Sequence, residues 1–163
     1  MTDGARALAK KIFGVLAEAE AKAHGVLPEE VHFHEVGAVD SIVDIISIAV
    51  CFDDLSITDV IVKSVSEGYG TVRCQHGILP VPVPAVTNIL QSHHLPLTRL
   101  EVEGELVTPT GAAFLAAVCT RNTLPAPHVI LRTGMGAGKR TYATPGILRM
   151  FLIEGEGAAP DGG

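Results

Sequence analysis

The sequence predicts an α+β fold, a mixed sheet of about five short strands with three or four packed helices in a single domain. Three observations predict it. Apolar residues recur at intervals of three and four from 5 to 24 and again from 41 to 54, which is helical spacing. Short β-branched and apolar runs at 57–65, 97–102, 129–131 and 147–153 are set off by turn-forming residues, as strands are. A chain of 163 residues, 47% of them hydrophobic, is enough for one domain with a core.

The first helix is expected over residues 5 to 24. Leu8, Ile12, Val15, Leu16, Ala19 and Ala23 make its apolar stripe, Lys10, Lys11, Glu18, Glu20 and Lys22 fall elsewhere, and Gly25 ends it. His24 in the last turn complements the helix dipole. After Pro28 comes the densest chemistry in the chain, His32-Phe33-His34-Glu35-Val36-Gly37-Ala38-Val39-Asp40-Ser41-Ile42-Val43-Asp44. If His32 to Val36 is extended, His32 and His34 share one face while Phe33 and Glu35 take the other. Gly37 and Ala38 turn the chain. Ser41 with Asp44 then fits a capping box opening a helix to about residue 54, with Asp40 and Asp44 near its first turn.

Residues 57 to 65, with Val60, Ile61, Val62 and Val65, read as a buried strand. Glu67 to Gly77 is a glycine-hinged turn into a short strand that delivers His76. Leu79 to Ala85 alternates prolines, so it should run extended over the surface or along a groove. Pro84 suits the first turn of a helix through Val86, Ile89 and Leu90. His93 and His94, adjacent and so pointing apart, read as structural or solvated. Leu97 to Val102 and Leu106-Val107 are expected as strand around a Glu103-Gly104 turn, and Thr108-Pro109-Thr110-Gly111 opens a helix to about Thr120. Residues 121 to 128 form a proline-containing loop and 129 to 131 a strand. Thr133 to Arg140 is expected as a glycine loop with a basic end, and Ile147 to Ile153 as the final strand. The domain is expected to span 1–154, with 155–163 a flexible tail or linker stump.

Composition excludes several classes. Twelve Lys and Arg against eighteen Asp and Glu give a net charge of −6, with no basic run, so a nucleic-acid partner is not expected. Three scattered cysteines form no Cys-x-x-Cys, which argues against a disulfide framework and a zinc knuckle and for a reducing cytoplasm. The longest charge-free apolar run, Ile45 to Phe52, is too short to span a bilayer, and the N-terminus has no cleavable apolar core, so no membrane is expected.

Two histidines at strand spacing beside Glu35, Asp40 and Asp44 fit a divalent-metal or acid–base site, and equally a hydrogen-bonded histidine pair on a strand edge. Imidazole with carboxylate suits Ni, Zn, Co or Mn without choosing among them. His76 joins the candidate ligands. The helix start at Thr108, Thr110 and Gly111 offers hydroxyls and free N–H groups to an anion, and an ordinary N-cap fits it as well. Gly134 to Gly138 encloses three residues and Lys139 is followed by Arg140, so this is not a P-loop. It still offers backbone amides to a phosphate with Lys139 and Arg140 as counter-charges. Without Gly-x-Ser-x-Gly, a hydrolytic nucleophile has little support.

Several collinear stretches together resemble one family, the nickel-inserting chelatases that complete the pyridinium bisthiocarboxylate mononucleotide (nickel-pincer) cofactor of lactate racemase. They are residues 20–25, the whole of His32 to Asp44, Gly68-Tyr69-Gly70 with His76 to Ala85, Glu105 to Ala113, and Gly134 to Gly138 before Leu148-Arg149. The resemblance implies a nickel chelatase of the lyase class that acts on the pincer mononucleotide with CTP and Mg or Mn. It implies nickel at His32, His34, Glu35 and His76, proton transfer by Glu35, Asp40 or Asp44, and phosphate held by Thr108, Thr110, Gly111, Lys139 and Arg140. The family also shares an acidic glycine-containing segment upstream and a C-terminal domain with which CTP and metal binding is associated. The chain is therefore expected to be a fragment or split subunit that works with a separate C-terminal domain, with CTP bound outside it and a homo-oligomer as one form. It has Thr144-Pro145-Gly146 where the family tends to show Pro-Asn.

Overall fold

Helix α1, Asp3–His24, is the element on which the other α-helices pack. Thr2 caps its start by accepting the Ala5 N–H, Asp3 complements the dipole there, and Gly25 ends it in the left-handed conformation (φ 69°) that favours glycine. Its buried stripe, with Ile12 and Leu16 fully inside, meets α2 (Val39–Asp54), α3 (Pro84–Ser92) and α4 (Pro109–Val118). The structure is a computed structural model and describes residues 1–31, 39–74, 77–142 and 144–155.

The α+β class is what the structure shows. Four α-helices and six strands are present among the described residues, and the strands form three two-stranded sheets where one mixed sheet was expected. The chain divides into two compact units, Met1–Asn122 and Thr123–Gly163.

In the first unit β1 (Val65–Tyr69) pairs in parallel with β4 (Leu97–Glu103). A parallel pair needs a crossover, and the hairpin β2 (Thr71–Cys74)–β3 (Gly77–Pro80) followed by α3 supplies it. Pro84 takes the first turn of α3, as its fixed φ favours. The core gathers Ile12, Leu16, Ile45, Ala49, Val86 and Ile89, with Phe52 and Phe114 meeting edge to face at 5.1 Å between centroids.

Four expectations need correction in this unit. Helix α2 begins at Val39, so Ser41 lies inside its first turn instead of capping it, and the acidic Asp40 complements the dipole. Residues 57–64 make one isolated bridge, Ile61 to Arg121, and are otherwise an extended connection whose backbone is tied to Thr120 and Arg121. The proline run is not a surface strap: Val81 and Val83 are buried while Pro80 and Pro84 face solvent, so the period of two sends valines in and prolines out. Leu106-Val107 is not strand, because a side chain takes the N–H groups a neighbouring strand would need.

The second unit is a ribbon of β5 (His128–Ala137) and β6 (Ile147–Gly155), antiparallel, with Gly134 opposite Met150 and Gly136 opposite Leu148. The expected glycine loop is therefore mostly strand. Glycines carry no side chain to reveal the alternation, and the ladder to the apolar β6 holds them extended. No helix among the described residues is long and apolar enough to cross a membrane.

Candidate functional site

Helix α4 opens as its sequence dictates. Thr108 stands in an extended conformation, its hydroxyl accepts the Gly111 N–H at 3.2 Å, and Pro109 takes the first helical position. Thr110 and Gly111 are half-buried in that first turn. The Thr108 hydroxyl is thus already used as a cap, which is the ordinary reading of this motif.

Directly ahead of that helix sits a group the sequence reading passed over. Glu67, on β1, is fully buried, and its Oε1 accepts three backbone N–H groups: Gly68 at 2.9 Å, Leu106 at 2.6 Å and Val107 at 3.4 Å. Among the described residues its Oε2 has no partner. A carboxyl with one oxygen so engaged fastens the 105–107 segment to β1 and so sets where α4 begins. The signal was available: alternation places Glu67 on the same face as the buried Val65, a charge aimed inward from a strand. Glu105, in the same segment, is buried too.

Asp40 and Asp44 lie in the first two turns of α2, both exposed and four apart, so they share a face. His32, His34, Glu35 and His76 lie outside the described residues. Lys139 and Arg140 follow β5 and are exposed, and they belong to the second unit whereas Thr108, Thr110 and Gly111 belong to the first. Gly134 and Gly136 are in the β5–β6 ladder and the Gly138 N–H is given to the Gly146 carbonyl at 3.0 Å, so the expected loop of free amides is not what these glycines form. A phosphate-ester enzyme using this glycine run and the carboxylates, the other function the sequence leaves open, loses the loop it would need. Among the described residues no three His, Cys, Asp or Glu side chains stand together as a metal site.

One carboxylate is electrostatically set apart. Asp59 accepts from the Thr120 hydroxyl and pairs with Arg121, and the Thr120 bond first, with Arg121 behind it, holds its carboxyl below the usual range. This cluster closes the first unit by tying residues 59–62 to the end of α4.

The chain matches the family model described as nickel insertion protein over residues 1–162. It is 54% identical over 154 residues to the pyridinium-3,5-bisthiocarboxylic acid mononucleotide nickel insertion protein of Alkaliphilus metalliredigens, covering 94% of this chain and 37% of that protein. The protein of the same description from Clostridium acetobutylicum is 46% identical over 156 residues, 96% of this chain and 37% of that one. A putative nickel insertion protein of Pelobacter propionicus is 47% identical over 158 residues, 96% of this chain and 40% of that one. The chain thus spans well under half the length of these relatives. No solved structure matches it significantly.

Proposed function

The chain belongs to the nickel insertion protein family, and from that premise we propose that it takes part in inserting Ni(II) into the pyridinium-3,5-bisthiocarboxylate mononucleotide, completing the nickel-pincer cofactor of lactate racemase. The observation that carries this reading is the family match along the whole chain together with what the relatives are described as doing. Nickel and the pincer mononucleotide are both substrates here. Insertion binds Ni(II) to two thiocarboxylate sulfurs and a ring carbon and releases the proton of that carbon, which a carboxylate or neutral imidazole can accept.

In this reading His32, His34, Glu35 and His76 receive the nickel, and Glu35, Asp40 or Asp44 takes the proton. Thr110 and Gly111, at the start of α4, are the first unit's residues for the nucleotide phosphate, with Thr108 fixing the helix end. Imidazole and carboxylate together suit nickel as a borderline ion. CTP, with Mg or Mn, is assigned to the part of the family's protein that this chain does not span. The reaction belongs to the lyase class and the compartment is the cytoplasm, where the exposed Cys51 and Cys74 stay reduced.

A second reading is that the chain is a metal- and substrate-binding subunit with no turnover of its own. Under it, the parts of the relatives outside the matched segment supply the turnover. Titration with Ni(II), with and without the pair His32→Ala/His34→Ala, tests the metal assignment, which fails if the double variant binds as tightly as the parent. An assay of nickel-pincer formation with CTP, on the chain alone and on the chain mixed with the remainder of a relative, separates the two readings. Turnover by the chain alone would reject the subunit.

A further inference from the structure

The β5–β6 ribbon is apolar on both faces, and its own unit covers neither. Every residue of β5 is exposed, as is all of β6 but Ile153, with Met135 at 72% and Leu148 at 56% of full exposure. Cross-strand partners share a face, so Leu148 and Met150 stand beside Gly136 and Gly134. A Cβ at either glycine would meet nothing within 4 Å, which leaves a bare backbone shelf edged by aliphatic side chains. On the other face lie Met135, Ile147 and Phe151, with the Arg149 guanidinium 4.9 Å above the Phe151 ring. Strands that read apolar at nearly every position, as Ile147 to Ile153 does, are those buried on both sides. An isolated two-stranded ribbon in water is marginal at best.

We infer that this ribbon is the docking surface for the part of the family's polypeptide that this chain does not span, which covers both of its faces. Two observations select that occupant over a second copy. A two-fold contact through one face would leave the other exposed. The relatives, by contrast, hold nearly two thirds of their length outside the matched segment, enough for two covering layers. The occupant's rim is acidic, since Arg132, Lys139, Arg140 and Arg149 stand in this unit against Glu154 among the described residues. The shelf over Gly134 and Gly136 takes its closest approach. The inference rests on family membership and not on the nickel ligands, so docking can hold where nickel binding fails.

The test uses the portion of the Alkaliphilus metalliredigens relative outside its 154 matched residues, produced together with this chain. Amide hydrogen exchange of residues 128–137 and 147–155 should slow at least tenfold in the complex, with the first unit unchanged. Met150→Asp on one face and Phe151→Asp on the other should each weaken binding at least tenfold. Gly134→Val, which favours the strand and fills the shelf, should weaken it as much while exchange shows the ribbon intact. The inference is overturned if the two polypeptides do not associate, if protection falls only on Met1–Asn122, if the three variants bind like the parent, or if the chain alone sediments as a dimer with its ribbon protected.

Discussion

Glu67 accepts the backbone N–H of Leu106 at 2.6 Å across 39 residues of sequence, from a side chain with no exposure to solvent. Removing that acceptor strands the Gly68 and Leu106 N–H groups in the interior, each of which costs about 1–3 kcal/mol when left unpaired. Glu67→Ala should therefore lower stability by about 2–4 kcal/mol, read as a shift of the urea midpoint. Glu67→Gln keeps an acceptor oxygen and should lose well under half as much. Equal losses in the two variants would mean that packing, and not the hydrogen bonds, explains the residue.

Gly68 sits beside that carboxyl at the irregularity in the β1–β4 register. A Cβ there would lie 2.2 Å from the Gly104 carbonyl oxygen and 2.4 Å from that of Val102, both backbone atoms that cannot swing aside. Gly68→Ala should cost about 3 kcal/mol or more by forcing the strands apart, and should melt β1–β4 protection in hydrogen exchange before that of α1. Thermal unfolding that matches the parent within about 0.5 kcal/mol would contradict the close approach.

The helices were legible because their signals are local. The stripe from Leu8 to Ala23 and the stop at Gly25 define α1, and Pro84 marks the start of α3. What escaped the sequence depends on pairing. Gly134 and Gly136 have no side chains with which to announce a strand, and only β6 across from them holds them extended. The β-branched run at 57–65 looked like a strand, yet it finds a single bridge, with Thr120 and Arg121 taking its hydrogen bonds. Of the candidate site, Thr108 and the two aspartates sit where helical spacing put them. Glu67 carries no motif of its own, and only its inward phase beside Val65 marks it in the sequence.

Asp59 makes the first unit acid-sensitive. Its folded carboxyl is held below the usual value, by Thr120 first and Arg121 next, so it contributes stability above the unfolded pKa of about 3.9 and loses it as pH falls through the folded value. With 46% of its side chain exposed the effect is modest and screened. The stability gap between the parent and Asp59→Asn should therefore be present at neutral pH, begin to narrow as pH falls below about 5, and close once pH is below the lowered folded value. Denaturant midpoints taken at several pH values read it directly. A gap that persists unchanged into acid would show that the charge is not its source.

Asp40 and Asp44 separate chemistry from folding. Both are exposed at the start of α2, where Asp40 complements the helix dipole at a value of about 0.3–1 kcal/mol and Asp44 stands one turn on. Asn at both positions should leave the fold within about 1 kcal/mol of the parent, because no core contact changes. If either is the group that takes the ring-carbon proton, nickel insertion by the chain joined with the rest of a relative should fall at least tenfold while Ni(II) binding is kept. The pH profile of the residual rate should also lose its acidic limb, which a purely structural role would leave in place. Full insertion activity in Asp40→Asn/Asp44→Asn would exclude both as the base and move that role into residues 32–38.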